Sequence, residues 1–334
     1  MVKDIRIKKI EMGSAKIGLI FNPLSGRIRK NIDKFRAIIE KIPATVIREA
    51  NNKYEFKRAV IDFLDIEIDL LIIVAGDGTV QGILNTLFKE YPDREWPIFA
   101  IIPGGTTNMT ALDLVKNDDL VDSVRKLNEC LLARIPPVFL KKHVLCIEQS
   151  GVDKVYGMFF AIGVIARAVI FSRSSIKRVG ITGEIYSGLI MVYYVIGLIF
   201  GRCEGAWAPA NTKIVRIGRK SSKGPNSTLF VSALDRLLFN TRPYWGEEKD
   251  PLHVTFVKQY RQKSIGKYIG SIWTLISGKS RRFKKYDGYH SYNLRMIEME
   301  VDDDYIVDGE SYYAENKNGP LRISAVGPIT FLAW

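Results

Sequence analysis

The sequence is poor in cysteine and histidine, and this scarcity excludes several kinds of site. Its 334 residues include three cysteines and three histidines. Cys130, Cys146 and Cys203 form no CxxC pair and are odd in number, so we expect a reducing compartment rather than a disulfide framework. The histidines lie far apart and lack metal-ligand spacing, so no histidine metal centre is expected.

Long hydrophobic runs are also scarce. The charged N-terminus is not followed by a signal-peptide pattern. Residues 185–200 (IYSGLIMVYYVIGLIF) are the one transmembrane candidate, and they fall slightly short of the roughly 17–25 residues of a spanning helix. We therefore predict a buried or membrane-facing helix there.

The overall composition is typical of a folded, basic protein. Hydrophobic residues make up 47% and charged residues 25%, and the length favours two domains. The net charge of +13 favours an anionic partner, which on charge alone is a nucleotide, a nucleic acid or an acidic membrane face.

The N-terminal part alternates between apolar runs and amphipathic segments. Strands are predicted at 16–21, 44–47, 69–75 and 98–102, and helices at 27–42, 54–64 and 79–91. This alternation indicates an α/β domain over residues 1–138, with helices on both faces of a parallel sheet.

Beyond residue 138 the rhythm changes to short strand-like runs separated by turn residues. They are predicted at 142–149, 154–163, 212–218, 228–234, 253–257, 293–301 and 321–326. Residues 139–334 are therefore predicted to form an antiparallel β domain, interrupted by helical segments at about 182–202 and 264–277.

Three polar turns that contain glycine follow strands of the predicted parallel sheet. They are Asn22-Pro23-Leu24-Ser25-Gly26, Ala75-Gly76-Asp77-Gly78-Thr79 and Pro103-Gly104-Gly105-Thr106-Thr107-Asn108. Glycine lets a ligand approach the backbone, and α/β folds bind ligands at the carboxyl ends of their strands. Each turn alone could be an ordinary connection, but together they predict a phosphate-binding edge. Asn85, on the helix after the second turn, could point to the same edge.

Asp77 would add negative charge beside bound phosphates. That placement suits a Mg²⁺ ligand or a proton-transfer role, and the alternative is a plain turn residue. The sequence has no GxxxxGK[ST] P-loop and no protein-kinase motif set, so phosphate chemistry of another kind is expected.

A fourth candidate is Asp308-Gly309-Glu310, which follows the apolar run Tyr305-Ile306-Val307. A carboxylate here could deprotonate a substrate hydroxyl. The alternative is a β-turn with solvated acids, and the neighbouring run 302–304 is interpreted as solvated surface.

The motifs NPxSG, GDGT, PxGTxN and a late DGE together resemble the diacylglycerol kinase catalytic-domain family, which includes bacterial lipid kinases, sphingosine kinases and ceramide kinases. The resemblance covers about residues 16–333 in the family's order. It implies a phosphofructokinase-like N-terminal domain, a β-sandwich-like C-terminal domain and an active site in the cleft between them.

The resemblance also implies ATP with Mg²⁺, bound by the three turns through Asn22, Pro23, Ser25, Gly26, Gly76, Gly78, Thr79, Gly104, Gly105, Thr106 and Asn108. It places Thr45, expected near the end of the second strand, beside the adenosine. Asp77 would hold Mg²⁺, directly or through water, or share in proton acceptance, and Asp308 or Glu310 would accept the proton of a lipid hydroxyl. A second, structural Mg²⁺ is not expected, because residues 247–251 lack the glycine of the corresponding family turn.

A lipid substrate requires access to a membrane. The basic runs 173–178 and 279–285 suit an anionic surface, so we expect a cytoplasmic protein, peripheral at the inner membrane face, with a homodimer as a further expectation. No nucleic-acid partner is expected, because RRM, KH and helix-turn-helix signatures are lacking.

Two alternatives remain open. An NAD kinase shares the GDGT type of loop, although the PGGTTN and DGE motifs argue against it. A nucleotide- or lipid-binding protein without catalysis is the second, because Ala75 stands where the family usually has glycine and would crowd a backbone that needs positive φ. The lipid itself is not specified by the sequence.

Overall fold

The computed structural model describes residues 5–30, 32–43, 45–105, 108–115, 119–179, 193–194, 197, 204–217, 220–258 and 289–334. The chain divides into two compact units, Met1–Lys142 with Pro328–Trp334, and His143–Gly327. No helix in the described ranges is long and apolar enough to cross a membrane. The predicted helix 264–277, the basic run 279–285, Thr106 and most of 182–202 lie outside the described residues.

Unit 1 alternates strands and helices. Its helices are α1 (Ile5–Glu11), α2 (Gly26–Arg29), α3 (Ile32–Ile39), α4 (Lys53–Asp65), α5 (Asp77–Glu90), α6 (Met109–Val115) and α7 (Leu120–Leu131). Its strands are β1 (Ile17–Phe21), β2 (Thr45–Glu49), β3 (Leu70–Ala75) and β4 (Ile98–Pro103). They pair in parallel in the order β2-β1-β3-β4, and Phe331 near the C-terminus adds a parallel pairing with Phe99.

Helices cover both faces of this sheet. On one face, Phe35 of α3 and Val124 of α7 pack with Ile72 and other alternate residues of the strands in one buried cluster. On the other face α4 lies so close to β1 that a Cβ on Gly18 would be 3.0 Å from the Phe63 ring. Since β1, β3 and β4 are buried along their whole length, their sequences are continuous apolar runs.

Unit 2 is mainly β-structure. Its elements are β5 (Val138–Glu148, which begins in unit 1), β6 (Val155–Gly157), β7 (Phe159–Gly163), α8 (Val164–Val179), β8 (Thr212–Ile217), β9 (Lys220–Lys223), β10 (Asn226–Ser232), β11 (Leu252–Lys258), β12 (Tyr289–Leu294), β13 (Met296–Val301), β14 (Asp303–Val307), β15 (Glu310–Ala314) and β16 (Leu321–Ala333). One antiparallel sheet has the order β12-β11-β10-β7-β14-β15. In the other, β16 pairs with β13, β13 with β8, and β8 with β9.

The predicted fold class, a parallel α/β region followed by an antiparallel β region, is confirmed. Three local predictions were wrong. The helix predicted over 27–42 is two helices, α2 and α3, and the runs 154–163 and 293–301 are two strands each. The helices α1, α6, α7 and α8 were not predicted.

Candidate phosphate-binding edge and carboxylate hairpin

The three glycine-bearing turns follow β1, β3 and β4, which are neighbours in the parallel sheet. Phe21 pairs with Val74, and Ala75 with Pro103, so these strands end at the same edge. The first turn is closed by Asn22, whose side-chain oxygen accepts a hydrogen bond from the Leu24 amide at 2.8 Å. The Ser25 hydroxyl donates to the Gly104 carbonyl, which ties the turn after β1 to the turn after β4. The prediction that the turns converge is therefore confirmed.

The turns after β3 and β4 contact each other through backbone atoms. A Cβ on Gly105 would lie 2.4 Å from the Cα of Gly76, and one on Gly104 would lie 2.9 Å from the Ala75 nitrogen. Neither position can hold a side chain without moving the backbone. At Gly26, by contrast, an added Cβ meets nothing within 4 Å, so the protein's own packing does not require glycine there.

Asn108 closes the turn after β4. Its side-chain oxygen accepts from the Gly105 amide at 2.7 Å, and its amide group donates to the Gly105 carbonyl at 2.8 Å. The residue is 1% exposed and adopts a positive φ of 47°, which asparagine tolerates better than most residues. Asn108 therefore shapes the turn from within.

Asp77 is the first residue of α5 and is 5% exposed. Its two carboxylate oxygens accept hydrogen bonds from consecutive backbone amides at the start of α6, Met109 at 3.0 Å and Thr110 at 2.9 Å. The same carboxylate that the sequence suggested for Mg²⁺ thus connects the turn after β3 to the helix after β4.

The N-terminus of α5 is partly open. Gly76, Gly78 and Thr79 are half-buried, while the Thr79 amide donates to the Gly76 carbonyl at 3.0 Å. Helix α5 has 14 residues, so its N-terminal amides and dipole favour an anion at this edge.

One predicted site residue, Thr45, lies differently from the expectation. Thr45 begins β2 instead of ending it and pairs with Ile17, so it lies at the opposite edge from the three turns. Its hydroxyl donates to the Pro43 carbonyl at 3.1 Å. The Asn85 side-chain amide donates to the Gln81 carbonyl, one turn earlier in α5, at 2.8 Å.

Sequence patterns did not single out the residues that follow β2, at the same edge of the sheet as the three turns. Asn52 accepts from the Glu55 amide at 3.0 Å, while Glu55 accepts from the Asn51 amide at 2.7 Å. This reciprocal arrangement resembles a capping box, and the Asn-x-x-Glu spacing in the sequence was the available signal.

Ala75 does not strain the backbone, although its place in the motif suggested that it would. It is the last residue of β3, pairs with Pro103 and is not among the residues with positive φ. A methyl group is compatible with extended strand geometry, so the missing glycine has no backbone consequence at this position.

In unit 2, Asp308 and Gly309 form the turn of a two-stranded hairpin. Their φ angles are 48° and 85°, and Val307 pairs with Glu310 across the turn, which matches a two-residue type I′ hairpin. Both Asp308 carboxylate oxygens accept backbone amides at 2.9 Å, from Met158 and Phe159, and the Asp308 amide donates to the Phe159 carbonyl. Asp308 is 4% exposed.

Glu310 is half-buried at the start of β15. Directly opposite residues of antiparallel strands share a face, so Glu310 lies on the face of Val307 and, two residues further along the strands, Tyr305 and Tyr312. Those tyrosine rings stack with centroids 5.3 Å apart, and burial raises the pKa of Tyr305 to about 12. Glu310 therefore stands at the end of an apolar, aromatic strip.

The acidic run before this hairpin is not simply solvated surface, as the sequence suggested. Asp303, with a side chain 13% exposed, pairs with Arg167 of α8 at 2.8 Å and accepts from the Asn211 amide at 3.0 Å. The interpretation as surface was therefore wrong for Asp303, because a distant arginine supplies its countercharge.

The residues that the structure describes do not assemble the donors of a metal cage. Within the described ranges, no group of three or more His, Cys, Asp or Glu residues could hold a metal ion. In the segment 247–251, Glu248 accepts the Asn293 amide at 2.8 Å. Of the two cysteines in the described residues, Cys130 and Cys146, both are buried, and burial raises the pKa of Cys130 to about 11, so neither is suited to bind a metal.

Comparison with known proteins agrees with the motifs. Residues 16–136 match the family model of the diacylglycerol kinase catalytic domain. The family resemblance predicted from the sequence is therefore confirmed, and it indicates a kinase-type domain. No curated protein sequence matches the chain.

The fold is shared with solved bacterial structures. Two described as "a putative diacylglycerol kinase", both from Bacillus anthracis str. Sterne, superpose with TM-scores of 0.67 and 0.66 at 18% sequence identity. The first alignment covers 95% of each chain, and the second covers 96% of this chain and 97% of the other. At this identity the likeness concerns the fold.

Proposed function

We propose that this protein is an ATP-dependent lipid kinase. The observation that carries the proposal is the backbone contact between Gly76 and Gly105, which forms a surface of glycine backbone beside the N-terminus of α5. Polyphosphate groups suit such a surface, because amides and the helix dipole stabilise negative charge while glycines allow close approach. The match over 16–136 to a lipid-kinase family supports the acceptor class.

The nucleotide is proposed to be ATP, with phosphates at the turns that carry Asn22, Ser25, Gly78 and Thr79. Mg²⁺ would neutralise charge on those phosphates when bound with the nucleotide. A Mg²⁺ site built from protein ligands alone does not fit the described residues, since no group of three or more His, Cys, Asp or Glu residues there could hold a metal ion and each oxygen of Asp77 accepts a backbone amide. No step of the mechanism is therefore routed through a protein-bound metal.

Glu310 is proposed to accept the proton of the lipid hydroxyl. The hydroxyl oxygen forms a bond to the γ-phosphorus, the bond from that phosphorus to the β–γ bridging oxygen breaks, ADP leaves, and the proton moves to the Glu310 carboxylate. Asp308 is the less suitable proton acceptor, because it is buried and both oxygens accept backbone amides. Its proposed role is to hold the hairpin that presents Glu310.

The proposed function also implies where the protein acts in the cell. A lipid acceptor and a net charge of +13 fit a protein that docks peripherally on an anionic membrane at its cytoplasmic face, without nucleic acid as a partner. Diacylglycerol, sphingoid bases, ceramide and glycolipid precursors all remain candidate acceptors.

The test is phosphoryl transfer from labelled ATP to a panel of these lipids in mixed micelles, with NAD as a separate acceptor. We expect a labelled lipid and no labelled NAD. Glu310→Gln should lower kcat at least about 10²-fold, which is typical of removing a general base. Asp308→Asn keeps a residue suited to the turn and should lower kcat per folded molecule much less.

Asp304→Asn is the matched control, because it removes one exposed charge from the same hairpin and should leave kcat unchanged. Transfer to NAD alone would replace the proposal with the NAD kinase alternative. Full activity of Glu310→Gln, or inactivation of Asp308→Asn to the same extent as Glu310→Gln, would reassign the proton acceptor.

A further inference from the structure

The carboxylate of Asp77 joins two segments that follow different strands. Asp77 begins α5, directly after β3, whereas Met109 and Thr110 begin α6, after the turn that follows β4. Both hydrogen bonds are short, 3.0 and 2.9 Å, and the carboxylate is almost fully buried. The two amides belong to the first turn of α6, where no acceptor exists within the helix itself.

Asp77 provides helix α6 with an external acceptor at its N-terminus. It has only seven residues, and an isolated helix of that length is marginal in water. Its first residue follows Asn108, which fixes the Gly105 backbone through two hydrogen bonds. Gly105 is therefore coupled to Asp77 through Asn108, whose side chain bonds Gly105 and whose chain neighbour Met109 bonds Asp77.

We propose that Asp77 is a positioning residue that holds the start of α6 and, through Asn108, the Gly105 backbone in a phosphate-binding geometry, and that it does not ligate Mg²⁺. This inference rests on the proposed binding of ATP. A metal ligated by Asp77 would compete with the two amides, and losing the carboxylate would leave them buried without an acceptor. Octahedral coordination of Mg²⁺ is also demanding, and in the described residues Asp77 belongs to no group of three or more His, Cys, Asp or Glu residues that could hold a metal ion.

The test is a thermodynamic cycle on the full chain. ATP affinity is measured by calorimetry for the native protein and for Asp77→Asn, each with excess Mg²⁺ and with a chelator. A positioning role predicts that the substitution weakens both affinities by the same factor, on the order of tenfold or more, so the gain from Mg²⁺ is unchanged. Loss of that gain in Asp77→Asn would overturn the proposal and assign Asp77 to the metal.

A second readout does not depend on nucleotide. Amide hydrogen exchange at Met109 and Thr110 should accelerate at least about tenfold in Asp77→Asn, because their acceptors are altered. Asp33→Asn on α3 is the control, since it removes an exposed carboxylate and should not change exchange at these amides. Unchanged exchange in Asp77→Asn would contradict the positioning role even if the native protein bound no ATP, whereas failure to bind ATP alone would contradict only the proposed function.

Asp77→Ser provides a variant if asparagine prevents folding. A serine hydroxyl accepts a hydrogen bond as helix caps do, but it carries no charge to hold a cation. A positioning role predicts that serine retains more of the amide protection and ATP affinity than Asp77→Ala does. No recovery with serine, together with lost Mg²⁺ coupling, would favour a metal ligand.

Discussion

Asp77 and Asp308 use their carboxylates in the same way, although they lie in different units of the chain. Each is followed by glycine, each is almost fully buried, and each accepts two consecutive backbone amides, those of residues 109 and 110 or of 158 and 159. Charge-assisted bonds of this kind are stronger than neutral ones, so both aspartates act as fixed anchors for the backbone. Glu310, the other acidic residue of the Asp-Gly-Glu motif, is instead only half-buried.

The backbone contact between Gly76 and Gly105 leads to a prediction about single residues. Gly105→Ala should lower the free energy of unfolding by about 1–3 kcal/mol and weaken ATP binding, because the new methyl group meets the Gly76 backbone. Urea unfolding and calorimetric titration with ATP measure the two effects.

Gly82→Ala within α5 is the matched control. An added Cβ there meets nothing within 4 Å, so alanine should stabilise the helix by about 0.5–1 kcal/mol and leave ATP binding unchanged. Equal behaviour of the two alanine variants would mean that the contact between Gly76 and Gly105 is not a constraint.

The sequence predicted the glycine turns and indicated Asp308-Gly309-Glu310 as a candidate site, but it did not predict the partners of the two aspartates. Residue type carries little information here, because the donors at residues 109, 110, 158 and 159 are backbone amides. Any residue except proline supplies such a donor, so the side chains Met109 or Phe159 give no signal. The position of Thr45 was predicted wrongly for a simpler reason. The strand predicted at 44–47 extends to Glu49, so Thr45 lies at its start and therefore at the other edge of the sheet.

Among the elements, α6 has a second attachment besides Asp77. Asp113, with a side chain 1% exposed, pairs at 2.8 Å with Lys142 of β5, whose side chain is 12% exposed. Lys142→Met should therefore destabilise unit 1 by about 3–5 kcal/mol, because it leaves a buried carboxylate without its countercharge. Chemical denaturation monitored by circular dichroism measures this loss.

Lys126→Met gives the comparison on α7. Lys126 pairs with Asp122 at 2.9 Å, but both side chains are well exposed, and surface pairs contribute about 0–1 kcal/mol. If the two methionine variants lose the same stability, Asp113 is compensated by other groups and α6 does not depend on Lys142.

The elements also show where pattern analysis stops. Apolar periodicity could not detect the break between α2 and α3, because Ile28, Phe35 and Ile39 pack into one cluster on both sides of it. The break between β6 and β7 falls at Met158, whose amide donates to Asp308. A contact between residues 150 positions apart interrupts that strand, and local sequence does not encode it.

At the scale of the whole molecule, the two units are not separated at a single point of the chain. It leaves unit 1 after Lys142 and returns for Pro328–Trp334, and β16 contributes to both units. The apolar run of β16 could be recognised as a strand from sequence, but its pairing partners could not, because strand pairing depends on contacts far apart in the chain.

The net charge of +13 makes a prediction about the whole molecule. If the protein docks on an anionic membrane, it should sediment with vesicles of phosphatidylcholine and phosphatidylglycerol but not with phosphatidylcholine alone. Binding should weaken strongly at roughly 0.5 M salt, because added ions screen exposed charges. Replacing the five cations of the 279–285 run with glutamine should reduce binding to the anionic vesicles.

A second variant that loses the same charge separates the effect of net charge on vesicle binding from the effect of where the cations lie. Five exposed cations of unit 1 are replaced instead: Lys8, Lys34, Lys41, Arg58 and Lys89. Each attraction falls off within a Debye length of the surface, so a docking face at 279–285 predicts that the unit 1 variant keeps most of its vesicle binding. Equal losses in the two variants would attribute the attraction to net charge, and no loss in either would remove the anionic membrane from the proposed function.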